Sequence, residues 1–442
     1  MNLQKLFFLL AAVLLIGTSC SDSDDDEYQT YDVTVKLVYP EGYTAVDDVS
    51  VTLVNTGTTA TYTDSTNVSG EVTFKVSTGN YVVTATDNRA VGGNSYILSG
   101  QLNFSVDNNR DSTIPVELHL QASKSGQIII KELYTGGCQK DDGSGKFLYD
   151  AYVILYNNSD IELTLENTAL GTANPYNFTN TNKYYTDGKL SYEAEGWIPA
   201  CAAIWYFKNP VSIAAGKQIV IALKNAVNNI PIYSNSINFA NAEYYCTYDV
   251  SGQFSNTTYY PVPAEVIPAS HYLSAAVYGA GNAWAISTQS PSFFIFNTEG
   301  TTPLAFAGDA TNKDDYFGST SLISLKVPVK WILDGMEIKA QGTTGLKRLT
   351  PAVDAGYATM INGYGYSIYR NVDKEATEAI EGNAGKLVYN YSLGTTDEEE
   401  GTTDPSGIDA EASIKNGARI IYKDTNNATN DFHQRRKASL KD

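Results

Sequence analysis

Apolar and polar residues alternate along much of the region between residues 31 and 120. In "YDVTVKLVY" (31–39), one face carries Tyr31, Val33, Val35 and Leu37. The stretches "DVSVTLV" and "GEVTFKV" repeat the pattern, and "TIPVELHL" is predicted to bury Ile114, Val116, Leu118 and Leu120. Successive side chains of a strand point to opposite faces, so this alternation between turn residues indicates short antiparallel strands. The region therefore predicts a β-sandwich.

The pattern changes beyond residue 125, where apolar residues fall on both faces of the predicted strands. Examples are "GQIIIKELY" (126–134) and "DAYVILYNNSDIELTLENTAL" (150–170), and "GKQIVIALKN" (216–225) predicts a further strand. Strands that are apolar on both faces are typical of a sheet that is covered on each side. The fold is therefore predicted to be all-β, with long loops in its larger part.

The first thirty residues have the pattern of a targeting segment. Lys5 precedes the apolar run "LFFLLAAVLLIG" (6–17), which is shorter than the about 20 residues of a bilayer span and has the length of a signal-peptide core. Small residues then lead to Cys20 and to the acidic run "SDSDDDE" (21–27). The arrangement resembles a bacterial lipobox, although Gly17 stands where leucine is usual. The acidic run resembles the lipoprotein surface-export signal of Bacteroidota.

These resemblances imply where the chain is located. Residues 1–19 would be a signal peptide, Cys20 would be acylated, and residues 20–30 would form an acidic tether. Acyl chains contribute about 0.8 kcal/mol per buried methylene, so several of them anchor a protein stably. Like-charge runs are also typical of solvated linkers, which is compatible with an exposed tether. The expected location is the outer membrane, with a lipid anchor and exposure at the cell surface.

A resemblance to a known domain type covers the first alternating region. The segments "VSVTLVN" (49–55) and "TNVSGEVTFKVSTGNYVVTA" (66–85) resemble carboxypeptidase-regulatory-like (transthyretin-like) domains. Gly70 turns the chain before the strand that carries Phe74, and Gly79 precedes Tyr81. The resemblance implies an Ig/transthyretin-like sandwich over residues 31–122. Such domains generally act as spacers or stabilisers.

A second resemblance covers the remainder of the chain. The segments "IIIKELYTGG" (128–137) and 150–171 resemble the opening of lamin-tail-like domains. The strings "KVPVKWILDGMEI" (326–338) and "ARIIYKDTNNATNDF" (418–432) complete the likeness. Together they imply a large lamin-tail-like β-sandwich domain over residues 123–442. The combination of the two domain types resembles an uncharacterised family of large Bacteroidota lipoproteins.

Composition and motifs limit the chemistry. With 49 acidic and 30 basic residues the net charge is −19, which argues against nucleic acid as a partner, because such binding requires Lys and Arg to neutralise phosphates. Neither HExxH nor GxSxG occurs, and the "DDGSGK" string (141–146) lacks the spacing and the Ser or Thr of a phosphate loop. We therefore expect a protein that is not an enzyme and uses no cofactor.

The cysteines and acidic strings leave alternatives open. Cys201 lies in the apolar "PACAAIWYF" and is predicted to be buried, whereas Cys138 and Cys246 are either free thiols or a disulfide. Asp309–Asp315 and Asp424–Asp431 offer oxygens of the kind that Ca²⁺ prefers, but neither string has EF-hand spacing. Hydrogen bonds to their own backbone are the favoured interpretation, and no metal site is predicted. The basic end "HQRRKASLK" (433–441) is predicted to be an exposed tail.

Aromatic clusters are the strongest candidates for ligand contact. Two polar, tyrosine-rich segments, 174–197 and 242–262, contribute Tyr184, Tyr185, Trp197, Tyr259 and Tyr260. Rigid aromatic faces among amides suit a glycan or a protein partner, although tyrosines also commonly cover sandwich edges. Together with the location, they favour a non-catalytic binding accessory of a TonB-dependent nutrient transporter. An adhesive or structural surface protein is the alternative, and a hydrolase is the third hypothesis.

Overall fold

The computed structural model describes residues 29–91, 94–179, 181–284, 286–395 and 402–441. The predicted signal peptide, Cys20 and most of the acidic tether lie outside these residues. The chain divides into two compact units. The first comprises the described residues through Asp87 together with Ser99–Gln121, and the second comprises Asn88–Leu98 and the described residues from Ala122 onward.

The structure confirms the all-β prediction. The strands of the first third of the chain are β1 (Tyr31–Val38), β2 (Ser50–Asn55), β3 (Thr61–Ser65), β4 (Glu71–Val76), β5 (Gly79–Val91), β6 (Asn94–Val106), β7 (Val116–His119) and β8 (Gln121–Tyr134). In the first unit, β1 pairs antiparallel with β4 and parallel with β7, and β2 pairs antiparallel with β3 and β5. The alternating residues Val33, Val35 and Leu37 of β1 are buried, as the period of two requires.

One position of this alternating pattern was predicted wrongly. Val116, Leu118 and Leu120 are buried, but Ile114 is 62% exposed. Its amide donates a hydrogen bond to the Asp111 carbonyl in a turn, and β7 begins only after Pro115. Proline has no amide hydrogen to donate to a ladder, so the regular pairing starts beyond it.

The second unit continues with many short strands. They are β9 (Cys138–Gln139), β10 (Lys146–Phe147), β11 (Ala151–Asn157), β12 (Leu163–Leu165), β13 (Thr168–Thr172), β14 (Tyr185–Thr186), β15 (Lys189–Leu190), β16 (Trp197–Cys201), β17 (Ala203–Tyr206), β18 (Val211–Ile213), β19 (Gln218–Lys224), β20 (Tyr245–Thr247), β21 (Tyr272–Val277), β22 (Ser292–Asn297), β23 (Lys313–Asp314), β24 (Ser324–Pro328), β25 (Ile332–Ala340), β26 (Ala358–Met360), β27 (Ser367–Arg370) and β28 (Phe432–Arg435). The α-helices among the described residues are short: α1 (Pro303–Gly308), α2 (Lys374–Glu378), α3 (Ala410–Lys415) and α4 (Ala428–Asp431). None of them has the length and apolarity that a membrane crossing requires.

Most of these strands join one sheet. Its order is β26, β25, β22, β13, β17, β21, β20, β19, β11 and β8, and β27 pairs with both β8 and β28. The pairs β19–β20, β20–β21 and β25–β26 are parallel, while the other neighbours in this series are antiparallel. Shifts of register interrupt the ladders that β11 makes with β19 and with β8.

Both faces of the central strands are covered, as their apolar runs predicted. Every residue of β11 is buried. Val153 and Leu155 join the largest apolar cluster, here called the principal core, whereas Tyr152 and Ile154 join a second cluster on the other face. Alternate residues therefore enter separate cores, which explains why the sequence of this strand lacks a polar face.

The basic C-terminal end is not the exposed tail that its charge suggested. Phe432–Arg435 form β28, and all four residues are buried. The His433 ring hydrogen-bonds to Asn371 and to the Tyr391 hydroxyl, at 2.8 and 2.7 Å. These partners lie far away in sequence, so the local pattern did not reveal that the polar side chains are satisfied inside the fold.

Candidate functional site

A cavity of about 480 Å³ opens at one end of the principal core. Its wall includes Tyr259, Trp284 and Ile286, which pack with that core, and Lys224 at the end of β19. Cavities of this size commonly hold small molecules. We refer to it below as the Lys224 cavity.

Lys224 reaches the cavity because of local backbone geometry. Ala151 pairs with Lys224 but Tyr152 pairs with Ala222, so the ladder between β11 and β19 contains an irregularity beside Lys224. Such bulges redirect side chains and are frequent next to functional sites. Asn225 follows with a φ of 49°, a left-handed conformation that ends the strand. Its amide donates to the Tyr259 carbonyl at 2.7 Å and thereby holds Tyr259 beside Lys224.

The Lys224 ammonium is buried without a partner. The residue is 2% exposed, and among the described residues its Nζ makes no hydrogen bond and no ion pair. Its Nζ makes a cation–π contact with the Tyr259 ring, whose centre lies 5.3 Å away. Burial lowers the pKa of Lys224 to about 8, while the Asp150 carboxylate acts in the opposite direction. Burying an unpaired charge lowers the stability of the fold unless another group forms an ion pair or hydrogen bonds with it.

Asp150 is only a partial counter-charge. Its Oδ2 accepts hydrogen bonds from the Tyr134 hydroxyl at 3.1 Å and from the Ser236 hydroxyl at 2.6 Å. Burial raises the pKa of Asp150 to about 7, although these hydrogen bonds act to lower it. At neutral pH the carboxyl is therefore only partly ionised, and it forms no ion pair with Lys224.

Aromatic rings and free polar groups complete the wall. Tyr149 packs edge-on against Tyr259, with centroids 5.2 Å apart, and Tyr176 is 49% exposed at the rim. The Asn177 Oδ1 accepts a hydrogen bond from Ser287, which leaves its NH₂ group unpaired among the described residues. Thr288 and Gln289 lie beside them. The cavity therefore combines ring faces, hydroxyls and amides with one cation.

Arg348 fixes the two loops that carry these polar groups. Its side chain is fully buried and donates to the Pro175 carbonyl at 3.0 Å and to the Ser290 carbonyl at 2.8 Å. The guanidinium also pairs with Glu337 at 2.9 Å. Burial acts to raise the pKa of Glu337, but Arg348 and Lys347 outweigh it and hold that pKa below its usual value. The planar guanidinium of one buried arginine thus holds both loops in place through hydrogen bonds.

The second tyrosine-rich segment contributes to this cavity in two ways. Tyr259 lines the cavity, whereas Tyr260 is buried. The Tyr260 hydroxyl accepts a hydrogen bond from the Trp284 amide at 3.1 Å, and the Trp284 Nε1 donates to the Ala203 carbonyl at 3.0 Å. Tyr260 therefore supports the wall and presents no ring face to a ligand.

The first tyrosine-rich segment packs elsewhere. Tyr184 is buried in a separate apolar cluster, and its hydroxyl donates to the Asp314 carboxylate at 2.5 Å. Tyr185 and Trp197 are partly buried against the same cluster, and the Trp197 Nε1 donates to Glu195 at 2.9 Å. In this structure the three predicted residues stabilise a loop assembly, and Tyr184 is not accessible to a ligand.

Cys138 and Cys246, for which the sequence left a disulfide or free thiols open, are free thiols. Cys138, Cys201 and Cys246 are all buried and unpaired, so the Cys138–Cys246 disulfide is not formed. Burial raises the pKa of each thiol to about 12, and the Asp150 carboxylate adds to this effect at Cys138. Cys246 lies in an apolar cluster, where it behaves as a small hydrophobic residue.

The two acidic strings hydrogen-bond their own backbone. Asp309 accepts bonds from the Thr311 amide and hydroxyl, and Asp431 accepts from the Thr425 amide and hydroxyl. Asp424 pairs with the buried Arg370 at 3.3 Å. Within the described ranges, no group of three or more His, Cys, Asp or Glu residues is arranged to hold a metal ion.

The residues that sequence reasoning missed are Lys224, Tyr149, Trp284, Asn177 and Arg348. One signal was present for Lys224, because it is the cation that ends the otherwise apolar strand "QIVIALK". The others are brought together by long-range packing and carry no local motif.

Comparisons with known proteins find one family match in sequence and several similar solved structures. Residues 214–392, which include Lys224 and Tyr259, match the family described as "Protein of unknown function (DUF4876)". A crystal structure of a DUF4876 family protein from Bacteroides thetaiotaomicron is similar with a TM-score of 0.50 and 19% identity, over 91% of this chain and 94% of that one. A DUF3823 family protein from Parabacteroides merdae matches with a TM-score of 0.16 and 10% identity, over 44% of this chain and 79% of that one.

A comparison with curated proteins finds no match. The chain is thus similar to an uncharacterised family of Bacteroidota, in sequence over residues 214–392 and in fold over most of its length.

Proposed function

We propose that this chain is a non-catalytic binding protein that captures a carbohydrate-sized ligand in the Lys224 cavity. The observation that carries the proposal is the buried, unpartnered Lys224 facing a tyrosine-lined cavity of about 480 Å³. Binding sites are typically preformed concave surfaces with apolar walls and a few convergent polar groups. Tyr149, Tyr176 and Tyr259 supply the ring faces, and Asn177 and the neighbouring polar side chains suit hydroxyl groups.

The environments of the two histidines of the second unit support a role in binding rather than in catalysis. His433 is held between Asn371 and Tyr391, and burial lowers its pKa to about 3, so that it stays neutral near pH 7. The His271 ring stacks on Tyr245 at 4.1 Å, and its Nδ1 lies 3.1 Å from the Tyr244 carbonyl. Neither ring lines the Lys224 cavity.

The proposed setting is the outer-membrane surface, where an acylated Cys20 anchors the chain and a TonB-dependent transporter receives the ligand. The lipobox-like sequence and the acidic run after Cys20 support this setting. A Cys20→Ala variant should lose membrane association and incorporation of labelled palmitate. Protease treatment of intact cells should degrade the anchored wild-type chain, and full protection would overturn surface exposure.

Ligand capture and transporter partnership are tested separately. Titration calorimetry of the purified full chain against neutral and acidic hexoses should detect saturable binding, and a Tyr259→Ala variant should bind more weakly. Absence of binding throughout this panel would overturn carbohydrate capture.

A pull-down of the acylated chain from gently solubilised outer membranes should recover a stoichiometric transporter. Recovery of the chain alone would favour the adhesive alternative.

A further inference from the structure

The Lys224 cavity has an unbalanced charge. Of the described residues that line it, Lys224 alone carries a formal charge, and the other lining residues are aromatic, aliphatic, hydroxyl or amide side chains. The Asp150 carboxylate, whose charge acts to raise the pKa of Lys224, accepts hydrogen bonds from the Tyr134 and Ser236 hydroxyls. The wall therefore presents one positive charge to whatever enters the cavity.

Three other buried cations of the second unit each have an ion-pair partner. Lys131 pairs with Glu411 at 2.7 Å, Arg348 pairs with Glu337 at 2.9 Å, and Arg370 pairs with Asp334. Such pairing is the usual condition for keeping a charge inside a fold. Lys224 has no such ion pair, and it lies beside a cavity that has room for a charged ligand. Its missing counter-ion is therefore expected to belong to the ligand.

We infer that the Lys224 cavity selects a singly charged acidic sugar, whose acid group meets the Lys224 ammonium. The inference rests on the proposed function and specifies its ligand class. One anionic charge balances one ammonium, whereas a dianion would leave a buried charge uncompensated. The ring faces of Tyr149 and Tyr259 suit the sugar ring, and the unpaired amide of Asn177 suits a hydroxyl.

The acid group has two chemical sources, a carboxylate or a sulfate ester, which share the single negative charge. A lysine ammonium is a compact point charge that accepts either geometry, unlike the planar fork of arginine. The test therefore includes both sources. Matched sets are glucose, glucuronate and glucose 6-sulfate, and galactose, galacturonate and galactose 6-sulfate.

The experiment is titration calorimetry of the full chain with each sugar, using the wild type, Lys224→Met and Lys330→Met. Methionine keeps most of the side-chain volume and removes the charge. Lys330 is exposed at a different cavity and provides the matched control for loss of a lysine charge. We expect one acidic sugar to bind the wild type about tenfold to a hundredfold more tightly than its neutral counterpart, the range of a charge-assisted hydrogen bond. Lys224→Met should abolish that preference, and Lys330→Met should retain it.

Each outcome decides between the two proposals. Equal affinity for neutral and acidic sugars in the wild type would overturn the charge selection but leave carbohydrate capture standing. A preference that survives in Lys224→Met would also overturn it, because the charge would then be recognised elsewhere. Absence of binding by every sugar would overturn capture as well.

Proton uptake by the wild type on binding at pH 8, measured in buffers of different ionisation enthalpy, gives a test that needs no variant. No uptake would count against contact with Lys224.

Discussion

The Lys224 ammonium lies 5.3 Å from the centre of the Tyr259 ring, where it makes a cation–π contact. A cation–π contact contributes about 0.5–2 kcal/mol. The lowered pKa of Lys224 corresponds to about 3 kcal/mol at neutral pH, since each pKa unit is worth about 1.4 kcal/mol. The contact therefore offsets only part of the cost of burying this charge. The burial of Lys224 is therefore not explained by a contribution to stability, and we propose that a ligand supplies the partner of its charge.

Asp150 should make stability fall as the pH rises. Its folded-state pKa of about 7 lies above the ordinary value of 3.8, so the folded chain retains a proton that the unfolded chain releases. Its contribution to stability is complete below pH 3.8 and is lost as the pH rises toward 7. The difference in unfolding free energy between the wild type and Asp150→Asn should change over this window. A difference that is constant between pH 4 and 7 would contradict the assignment.

Arg348→Met should both destabilise the fold and disorganise the cavity. It leaves Lys347 as the remaining cation beside the buried Glu337, to which the backbone amides of residues 348 and 349 still donate, and it frees the Pro175 and Ser290 carbonyls. Removing one member of a buried ion pair typically costs about 3–5 kcal/mol. Urea unfolding measures the loss, and hydrogen exchange at the Phe178 amide, which donates to the Ser290 hydroxyl, reports on the loop. Unchanged exchange at that amide would show that Arg348 does not hold the loop.

The two tyrosine-rich segments should respond differently to mutation. Tyr184→Phe removes a hydroxyl that donates to Asp314 and should cost about 1 kcal/mol of stability without altering ligand affinity. Tyr259→Phe keeps the ring over Lys224, whereas Tyr259→Ala removes it and should weaken binding. Calorimetric titration of the three variants separates these effects. A loss of ligand affinity in Tyr184→Phe would indicate that the first tyrosine-rich segment contributes to the ligand site after all.

The three described cysteines should resist modification in the folded chain. They are buried, and their raised pKa values leave almost no reactive thiolate at neutral pH. Peptide mass spectrometry after iodoacetamide treatment should find Cys138, Cys201 and Cys246 unmodified before unfolding and alkylated afterwards. No disulfide partner is expected for any of the three cysteines. A disulfide-linked peptide that joins Cys138 to Cys246 would contradict the structure.

The sequence predicted what depends on local periodicity. The alternation around Val33 and the continuous apolar run at 151–156 follow directly from whether one or both strand faces are covered. Ile114 broke the pattern because Pro115 delays the strand. The C-terminal strand was missed because the partners of His433 lie on distant segments.

The candidate site was predicted only in part for the same physical reason. Tyr259 was identified from its aromatic surroundings, but nothing local distinguishes it from Tyr184, which is buried. A lysine at the end of a strand normally reaches solvent. The irregular pairing of β11 with β19 and the left-handed Asn225 turn Lys224 inward, and both features depend on tertiary packing.

The most direct test of the account is the urea unfolding of wild-type chain and Lys224→Met, with and without the acidic sugar that binds the wild type. Without ligand, Lys224→Met should be more stable by about 1–3 kcal/mol, because it removes an uncompensated buried charge. Lys330→Met should stay within about 0.5 kcal/mol of the wild type. Added ligand should stabilise the wild type more than Lys224→Met, because the variant is expected to bind the acidic sugar no more tightly than its neutral counterpart. A less stable Lys224→Met that gains as much stability from the ligand as the wild type would contradict the central claim.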